Sequence, residues 1–476
     1  MIPETLVTVV RSLRADYGLL PEPQAAPELP DQNIQTVAQR AIRDLFQRWG
    51  LDRTRQGTSA WSPLGAFIAP GSRVVLKPNW VLHHNQSGRG MDCLITHTSV
   101  LEAVLEYVVL ARPSSVIVGD APVQGCDFDR LRDTCRLDAL VERFRRQGFD
   151  LRICDFRRTL LPGGNLGAPR IENGREKADY VLFDLARDSL LEPLATEAGK
   201  FRVTMYNPDL LSSTHAPGRH RYLIARELMQ ADVVINLPKL KCHKKTCVTG
   251  ALKNLVGING NKEYLPHHRK GGEALGGDCY PGNSWLKSSA ENFLDAANRR
   301  LPGKVQAGLA QLAQVAVRCA AALGSDENLE GSWFGNDTIW RTCLDLQRVL
   351  LYGNEDGFLQ PAPQRQVVTI TDAIIAGEGE GPLAPEPVPA GFVTGARNPV
   401  AADWVHARLM GFDPSKIPLI DRAFADFSNR LAAFPSLAIQ VRLPEGDRSA
   451  AELFPFAGTS FRPPAGWAGH CELEHS

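Results

Sequence analysis

The sequence lacks any surplus of charge: 53 Lys+Arg stand against 53 Asp+Glu in 476 residues, a formal net charge of +0. That absence excludes a surface coated in one sign, and with it a chain-wide grip on nucleic acid or anionic lipid. An anion site has to come from local clustering. The sequence also lacks an uncharged apolar run of about 18 residues, the length a spanning helix needs. The nearest, QAGLAQLAQVAVRCAAALG from Gln306, is broken by glutamines and Arg318 and reads as an Ala-rich amphipathic or buried helix. The first residues have no basic stretch leading into an apolar one, so no secretory leader is read there. Ten cysteines are scattered without a CxxC pair, which excludes a ferredoxin-type run and argues against a disulfide framework. The thiols are expected to be reduced and structural, and the compartment cytoplasmic. GxSxG, HExxH, Walker A and GxGxxG are missing as well, which weakens hydrolase, zinc-protease, ATPase and NAD-enzyme readings.

What is present is the composition of a folded protein, 43% hydrophobic and 22% charged. Residues 1–60 read as a helical extension, with TVAQRAIRDLFQRWG from Thr36 its clearest helix. An α/β core is expected over 61–284. RVVLKPNWV from Arg73 reads as a buried strand, and a helix follows, opened by a capping box of Ser99 and Glu102. A second strand ends at Asp120, giving a parallel crossover unit. DLRICDF and DVVINLPKL add strands, ADYVLFDL and KFRVTMY are expected to pair antiparallel, and RYLIARELMQA reads as a helix. A helical insertion (285–355), a C-terminal α/β portion (356–440) and a tail (441–476), Pro/Gly-rich and loose after Phe461, complete the division. The expected fold is α/β, with a mostly parallel Rossmann-like sheet. In such sheets functional groups gather beyond the carboxyl ends of the strands, where Lys77, Asn79, Asp120, Lys239 and Lys241 fall.

The densest chemical signal is LPKLKCHKKTCVTGALKNLVGINGNKEYLPHHRKGG from Leu237. Between Lys239 and Lys270 it holds eight Lys/Arg and one acid, Glu263. The turn His243-Lys244-Lys245 feeds a helix expected to begin near Thr246, whose amino terminus would favour an anion. Within it Thr249 and Lys253 share one face, and Gly250, Asn254 and Gly257 the next. A solvated basic loop is the plainer alternative. Cys242 and Cys247 flank the turn with His243 between them, an incomplete metal set, although the neighbouring lysines would lower the thiol pKa values. The second constellation, TDAIIAGEGEGPL from Thr371, offers Asp372, Glu378 and Glu380. Spaced carboxylates can bind a hard cation such as Mg²⁺ or act as acid and base, and a flexible acidic turn is the alternative. Asp403 falls in the first turns of a helix, where stabilising the dipole is as good a role as chemistry. His97 sits before a helix start and is a candidate proton carrier. His83-His84, His267-His268 and His215 are loop histidines.

Taken together, VVLKPNW, THTSVLEAVL, GDAP, ADVVINLPKLKCHKKTCVTGALKNLVGI, WFGNDTIWRTCLDLQRVLLY and TDAIIAGEGEGP with ARNPVAADWVHARLMGFDP resemble the DUF362 family, from about Ser72 to Asp413. Many members of that family join this domain to an iron–sulfur module, whose cysteine run this chain lacks. The NGNKEYLPHHRKGG segment is similar to a branch associated with biosynthetic gene clusters, which implies a biosynthetic role.

The resulting expectation is an enzyme that binds an anionic small molecule, a phosphate or carboxylate, in a strand-end cleft and carries out metal-assisted group transfer or isomerisation. Lys77, Asn79, Lys239, Lys241 and Asn254 would hold the substrate. His97, His243 and Lys253 would be catalytic. Asp120, Asp372, Glu378 and Glu380 would hold a divalent cation. No nucleic-acid partner and no transmembrane segment are expected. A redox protein using an iron–sulfur cluster or thiols on Cys242 and Cys247, with Cys279 or Cys93, is one alternative; a non-catalytic scaffold is another. The main reading requires the basic 239–270 stretch and the acidic 372–380 segment to meet in one cleft.

Overall fold

The computed structural model describes residues 2–29, 33–162, 170–196, 199–204, 206–299, 303–323, 329–456 and 459–474. Strand β1 (Leu6–Arg11) and helix α1 (Val37–Trp49) come first, separated by a small hairpin. β2 (Arg73–Pro78), α2 (Thr98–Leu110), β3 (Ser115–Asp120) and β4 (Leu151–Asp155) follow. Next are β5 (Val233–Leu237), β6 (Lys239–His243), β7 (Cys247–Thr249) and the single turn α3 (Ala251–Asn254). The helices α4 (Trp285–Asn298), α5 (Lys304–Ala322) and α6 (Ile339–Tyr352) lead to β8 (Gln366–Glu380), β9 (Ala384–Val388) and β10 (Phe392–Ala396). Helix α7 (Pro399–Met410), β11 (Gln440–Leu443) and β12 (Gly446–Ser449) close the order.

These strands form one 12-stranded sheet in the order β12-β11-β1-β10-β8-β5-β2-β3-β4, with β6 and β9 paired to β8, and β7 to β6. Its centre, β8-β5-β2-β3-β4, is parallel throughout. Strands buried on both faces read as continuous apolar runs, and VVINL of β5 is buried at all five positions. Alternate side chains enter two different cores. Val75, Ile117 and Val234 pack on one face with residues of α3, α6 and α7, whereas Val74, Leu76, Val116, Val118 and Ile235 pack on the other with α1 and α2.

The mostly parallel α/β sheet agrees with expectation, and several local readings need correction. Residues 1–60 are more than a helical extension, because LVTVVR enters the sheet as β1, antiparallel to β10 and parallel to β11. The described residues after 440 are bound to the fold: they complete β11, add β12 and bury Phe461, Trp467 and Cys471. RYLIA is a strand (Arg219–Ala225) paired with Tyr180–Asp184, and only Arg226–Gln230 is helical. Among the described residues ADYVLFDL and KFRVTMY therefore do not pair with each other; Phe201–Arg202 pairs with His268–Arg269. α2 is capped by His97, whose ring nitrogen accepts the Ser99 N–H, while Glu102 is drawn to Arg143.

The basic stretch departs most from expectation. Instead of a helix from Thr246, β6 and β7 form a hairpin and helix begins only at Ala251. Its leading N–H groups are already occupied: Asp403, from the first turns of α7, accepts from Ala251 N at 2.6 Å and Leu252 N at 2.8 Å. His406 Nδ1 lies 2.9 Å from the same carboxylate, and its Nε2 lies 2.8 Å from Thr394 Oγ1. Gly250 is glycine because a Cβ there would strike the Asp403 carboxylate. One turn of helix is too short to hold itself, so Asp403 fixes it from outside. Asp403→Ala is expected to cost about 2–4 kcal/mol in urea unfolding, and Asp403→Asn, which keeps one acceptor, less. A loss below about 1 kcal/mol for the alanine variant would show that the turn stands without it.

Candidate functional site

Beyond the ends of β2, β3 and β5 lies a dry polar cluster. Lys77 and Asp120 pair at 2.7 Å with side chains 0% and 4% exposed. Lys77 Nζ also donates to Pro78 O at 2.7 Å and Asn254 Oδ1 at 3.2 Å. Asn254 Nδ2 donates to Lys77 O and to Asn236 Oδ1, and Asn79 Nδ2 donates to Asn254 Oδ1 at 3.0 Å. Trp80 N donates to the second Asp120 oxygen. Burial draws both ionisable partners toward their neutral forms, lowering the Lys77 pKa and raising that of Asp120, while their mutual contact opposes the change. Gly257 closes over the pair. A Cβ at 257 would strike Asp120 and lie 2.8 Å from Lys77 Nζ, so only glycine fits.

A second, separate pair stands at the start of β6. Lys239 and Asp372 meet at 2.6 Å, both fully buried. Tyr17, from the N-terminal segment, donates to Asp372 at 2.7 Å and accepts from Lys239 at 2.6 Å. Its ring stacks on His97 with centroids 3.8 Å apart. His97 donates its backbone N–H to Asp372, and its Nδ1 contacts Ser99 Oγ at 2.7 Å. Burial lowers the His97 pKa against the attraction of Asp372. Lys241, next along β6, is buried against the Leu94 carbonyl, and burial together with Lys239 holds its pKa well below the usual range.

The open cleft has a volume of about 590 Å³. Of the residues nominated from sequence, Asn79, Asp120, His243, Lys253, Asn254 and Glu380 line it; Lys77, His97, Lys239, Lys241, Asp372 and Glu378 do not. The wall is completed by Lys244, Lys245, Thr249, Lys262 and His267. Lys244 pairs with Glu380 at 3.0 Å near the mouth. Lys245 donates to the Glu330 carbonyl. The ammonium groups of Lys253 and Lys262 have neither an ion pair nor a hydrogen bond among the described residues. Burial lowers the Lys253 pKa, and burial with the charge of Lys253 lowers Lys262 to about 7. Thr249 Oγ1 and Asn79 Oδ1 are buried without a hydrogen-bond partner among the described residues.

Two imidazoles present opposite functions. His243 Nδ1 accepts the Lys245 N–H at 3.0 Å, which leaves the proton of the neutral ring on Nε2. His267 Nδ1 lies 2.6 Å from Leu265 O, so its proton sits there and Nε2 carries a lone pair. Burial and the surrounding lysines hold both well below the usual histidine pKa, and both rings are neutral near pH 7. One is an N–H donor and the other a base.

The basic and acidic stretches do meet, since β6 pairs with β8 in the register Lys239↔Asp372 and Lys241↔Gly377. The four acids do not converge on one point. Asp120 and Asp372 pair with lysines, Glu378 accepts Arg462 N at 2.8 Å, and Glu380 accepts Ala465 N at 2.8 Å besides pairing with Lys244. The last two hold the C-terminal segment in place. Cys242 and Cys247 are fully buried, and burial raises their pKa values, the reverse of the lowering their lysine neighbours suggested. The lysines beside them act elsewhere. Sequence reasoning missed Lys262 and His267 as cleft residues, although both lie in the basic stretch.

Residues 182–408 match the family described as a domain of unknown function, DUF362, in agreement with the motif resemblance. The match includes the basic stretch, β8 and Asp403, whereas Lys77, Asn79 and Asp120 precede it. The chain is 24% identical over 357 residues to a thylakoid-associated protein of Synechocystis sp., covering 75% of this chain and 68% of that relative. It is also similar to a solved protein from Thermotoga maritima, at 9% identity and a TM-score of 0.29. That alignment covers 68% of this chain and 51% of the other, so the chain spans about half its length. Among the described residues no helix is long and apolar enough to cross a membrane.

Removing one member of a buried pair strands the other charge, whereas replacing both with apolar groups does not. Lys77→Met or Asp120→Leu alone is expected to cost about 3–5 kcal/mol, and the double variant less than the larger single loss. Additive losses in chemical denaturation would show that the two groups do not act as a pair.

Proposed function

With residues 182–408 forming a DUF362 domain, we propose that the protein is an enzyme that binds an anionic small molecule, bearing phosphate or carboxylate, in the 590 Å³ cleft. One observation carries this reading: among the described residues Lys253 and Lys262 line the cleft without a carboxylate partner, although opposite charges balance across the whole chain. Burial lowers both pKa values, and the charge of Lys253 lowers that of Lys262 further. Asn79 Oδ1 and Thr249 Oγ1 are unsatisfied polar atoms on the same wall and would orient the ligand. His243 would donate a proton from Nε2 and His267 would accept one, with Lys253 stabilising the charge that develops. A donor and a base on one wall suit isomerisation or group transfer.

In this reading Lys77 and Lys239 are structural, because each is matched by a carboxylate at 2.7 and 2.6 Å. A divalent cation on Asp120, Asp372, Glu378 and Glu380 has less support than lysine-based charge neutralisation, since those acids are engaged at separate places. Redox use of Cys242 and Cys247 has less support for the reason their burial gives, that the thiol form is favoured. A cytoplasmic enzyme in a biosynthetic pathway remains our reading; the thylakoid association belongs to the relative.

Phosphorylated sugars, nucleotides and carboxylates are expected to raise the Tm in a thermal-shift screen by mass action. The pH dependence is sharper evidence. Lys262, with a pKa of about 7, must be protonated to hold an anion, so affinity falls as pH rises through that value. Sulfate keeps its charge between about pH 6 and 8, and its Kd should weaken by up to about tenfold per pH unit above 7. Lys262→Arg, charged throughout, should flatten the profile, and Lys253→Ala should weaken binding about tenfold or more at every pH. A silent screen, or sulfate binding that tightens with pH, would overturn the proposal.

A further inference from the structure

Behind the cleft wall three metal-binding side chains converge. His268 follows cleft-lining His267, Cys279 lies in the loop before α4, and Glu291 projects from α4. One ligand atom from each lies within 4.8 Å of the other two, and all three residues are buried. His268 is 5% exposed and its Nδ1 has no hydrogen-bond partner among the described residues, a costly state for a buried polar atom. Both neighbours are acceptors: Cys279 Sγ receives the Glu330 N–H at 3.1 Å, and the Glu291 carboxylate receives the Gly271 N–H at 3.0 Å. A cavity of about 40 Å³ adjoins all three, more than the roughly 10–15 Å³ one water needs. Arg202 and Lys270, the cations alongside, are both turned to Asp295, at 2.9 and 2.7 Å.

We propose that His268, Cys279 and Glu291 bind a resident zinc-class divalent cation, with a water from the adjoining cavity as fourth ligand. Imidazole nitrogen, thiolate and carboxylate form a zinc-type donor set, whereas Mg²⁺ avoids thiolate. On binding, Cys279 releases its thiol proton to solvent as the sulfur–metal bond forms. Glu291 binds as the carboxylate, and His268 as the neutral ring through a nitrogen lone pair. No electron is transferred, and the two anionic ligands neutralise the dication. The ion ties α4 to the short strand pair of His268–Arg269 and Phe201–Arg202. It thereby braces His267 and Glu330, the latter holding Lys245 at the cleft. This site stands independently of the anion reading.

The test uses the full chain, stripped with a chelator and titrated with Zn²⁺ and with Co²⁺. One ion per chain is expected, with a rise in Tm, a thiolate-to-cobalt absorption band, and an X-ray absorption shell of one sulfur and three nitrogen or oxygen atoms for zinc. Cys279→Ser should abolish the band and stoichiometric zinc binding, whereas Cys343→Ser, a buried thiol outside the cluster, should preserve both. Absence of stoichiometric binding, a shell with no sulfur or with two, or a cobalt band that survives Cys279→Ser would overturn the proposal. Should Cys279→Ser fail to fold, the shell of the unaltered protein decides alone.

Discussion

The Lys77–Asp120 pair, sealed under Gly257, joins the ends of two parallel strands to the segment that carries the cleft. Two charges out of water are costly, and each is tolerated only because the other and several fixed dipoles stand within hydrogen-bond reach. Asn254 reads both sides of this arrangement, donating to the Lys77 carbonyl and accepting from Lys77 Nζ and Asn79. Asn254 is the last residue of α3 and follows Lys253 directly. The position of Lys253 at the cleft therefore depends on a buried ion pair below it and on Asp403 at the other end of the same turn.

A neutral chain thus acquires a positive cleft by spending its acids elsewhere. Asp120 and Asp372 are matched to Lys77 and Lys239, and Glu378 and Glu380 hold the C-terminal segment. Of the cleft lysines, Lys244 is matched to Glu380 and Lys245 to a backbone carbonyl, which leaves Lys253 and Lys262 without a partner among the described residues. Lys253 lowers the pKa of Lys262 from a turn at 251–254 that Asp403 and the Lys77–Asp120 pair hold in place, a cost that the proposed anion would offset. The two histidines, held in opposite tautomers by backbone groups, add proton donation and acceptance without adding charge.

The parallel sheet was legible because VVINL, RVVLKP and SVIVGD are apolar runs ending in polar residues, and such runs have few other ways to bury both faces. The basic stretch was legible as a charge cluster. The ion pairs were not, since Lys77 and Asp120, or Lys239 and Asp372, lie far apart in sequence and only β-strand pairing brings them together. Residues of both signs at strand ends looked like a substrate site and a metal site, whereas Lys77 and Lys239 of the one neutralise Asp120 and Asp372 of the other. LVTVVR was overlooked as a strand because it stands apart from the α/β alternation, and RYLIA because it runs straight into a helical turn. The cap from Asp403 had no local signal: its partners lie 151 and 152 residues away.

The central claim is that Lys262 shares the cleft with Lys253 at a depressed pKa until an anion arrives. Proton uptake on binding measures this directly, by titrating sulfate calorimetrically near pH 7.5 in buffers of different ionisation enthalpy. The account predicts net uptake of up to about one proton per anion bound, and little uptake in Lys262→Arg. Binding with no proton exchange, or with proton release, would contradict it.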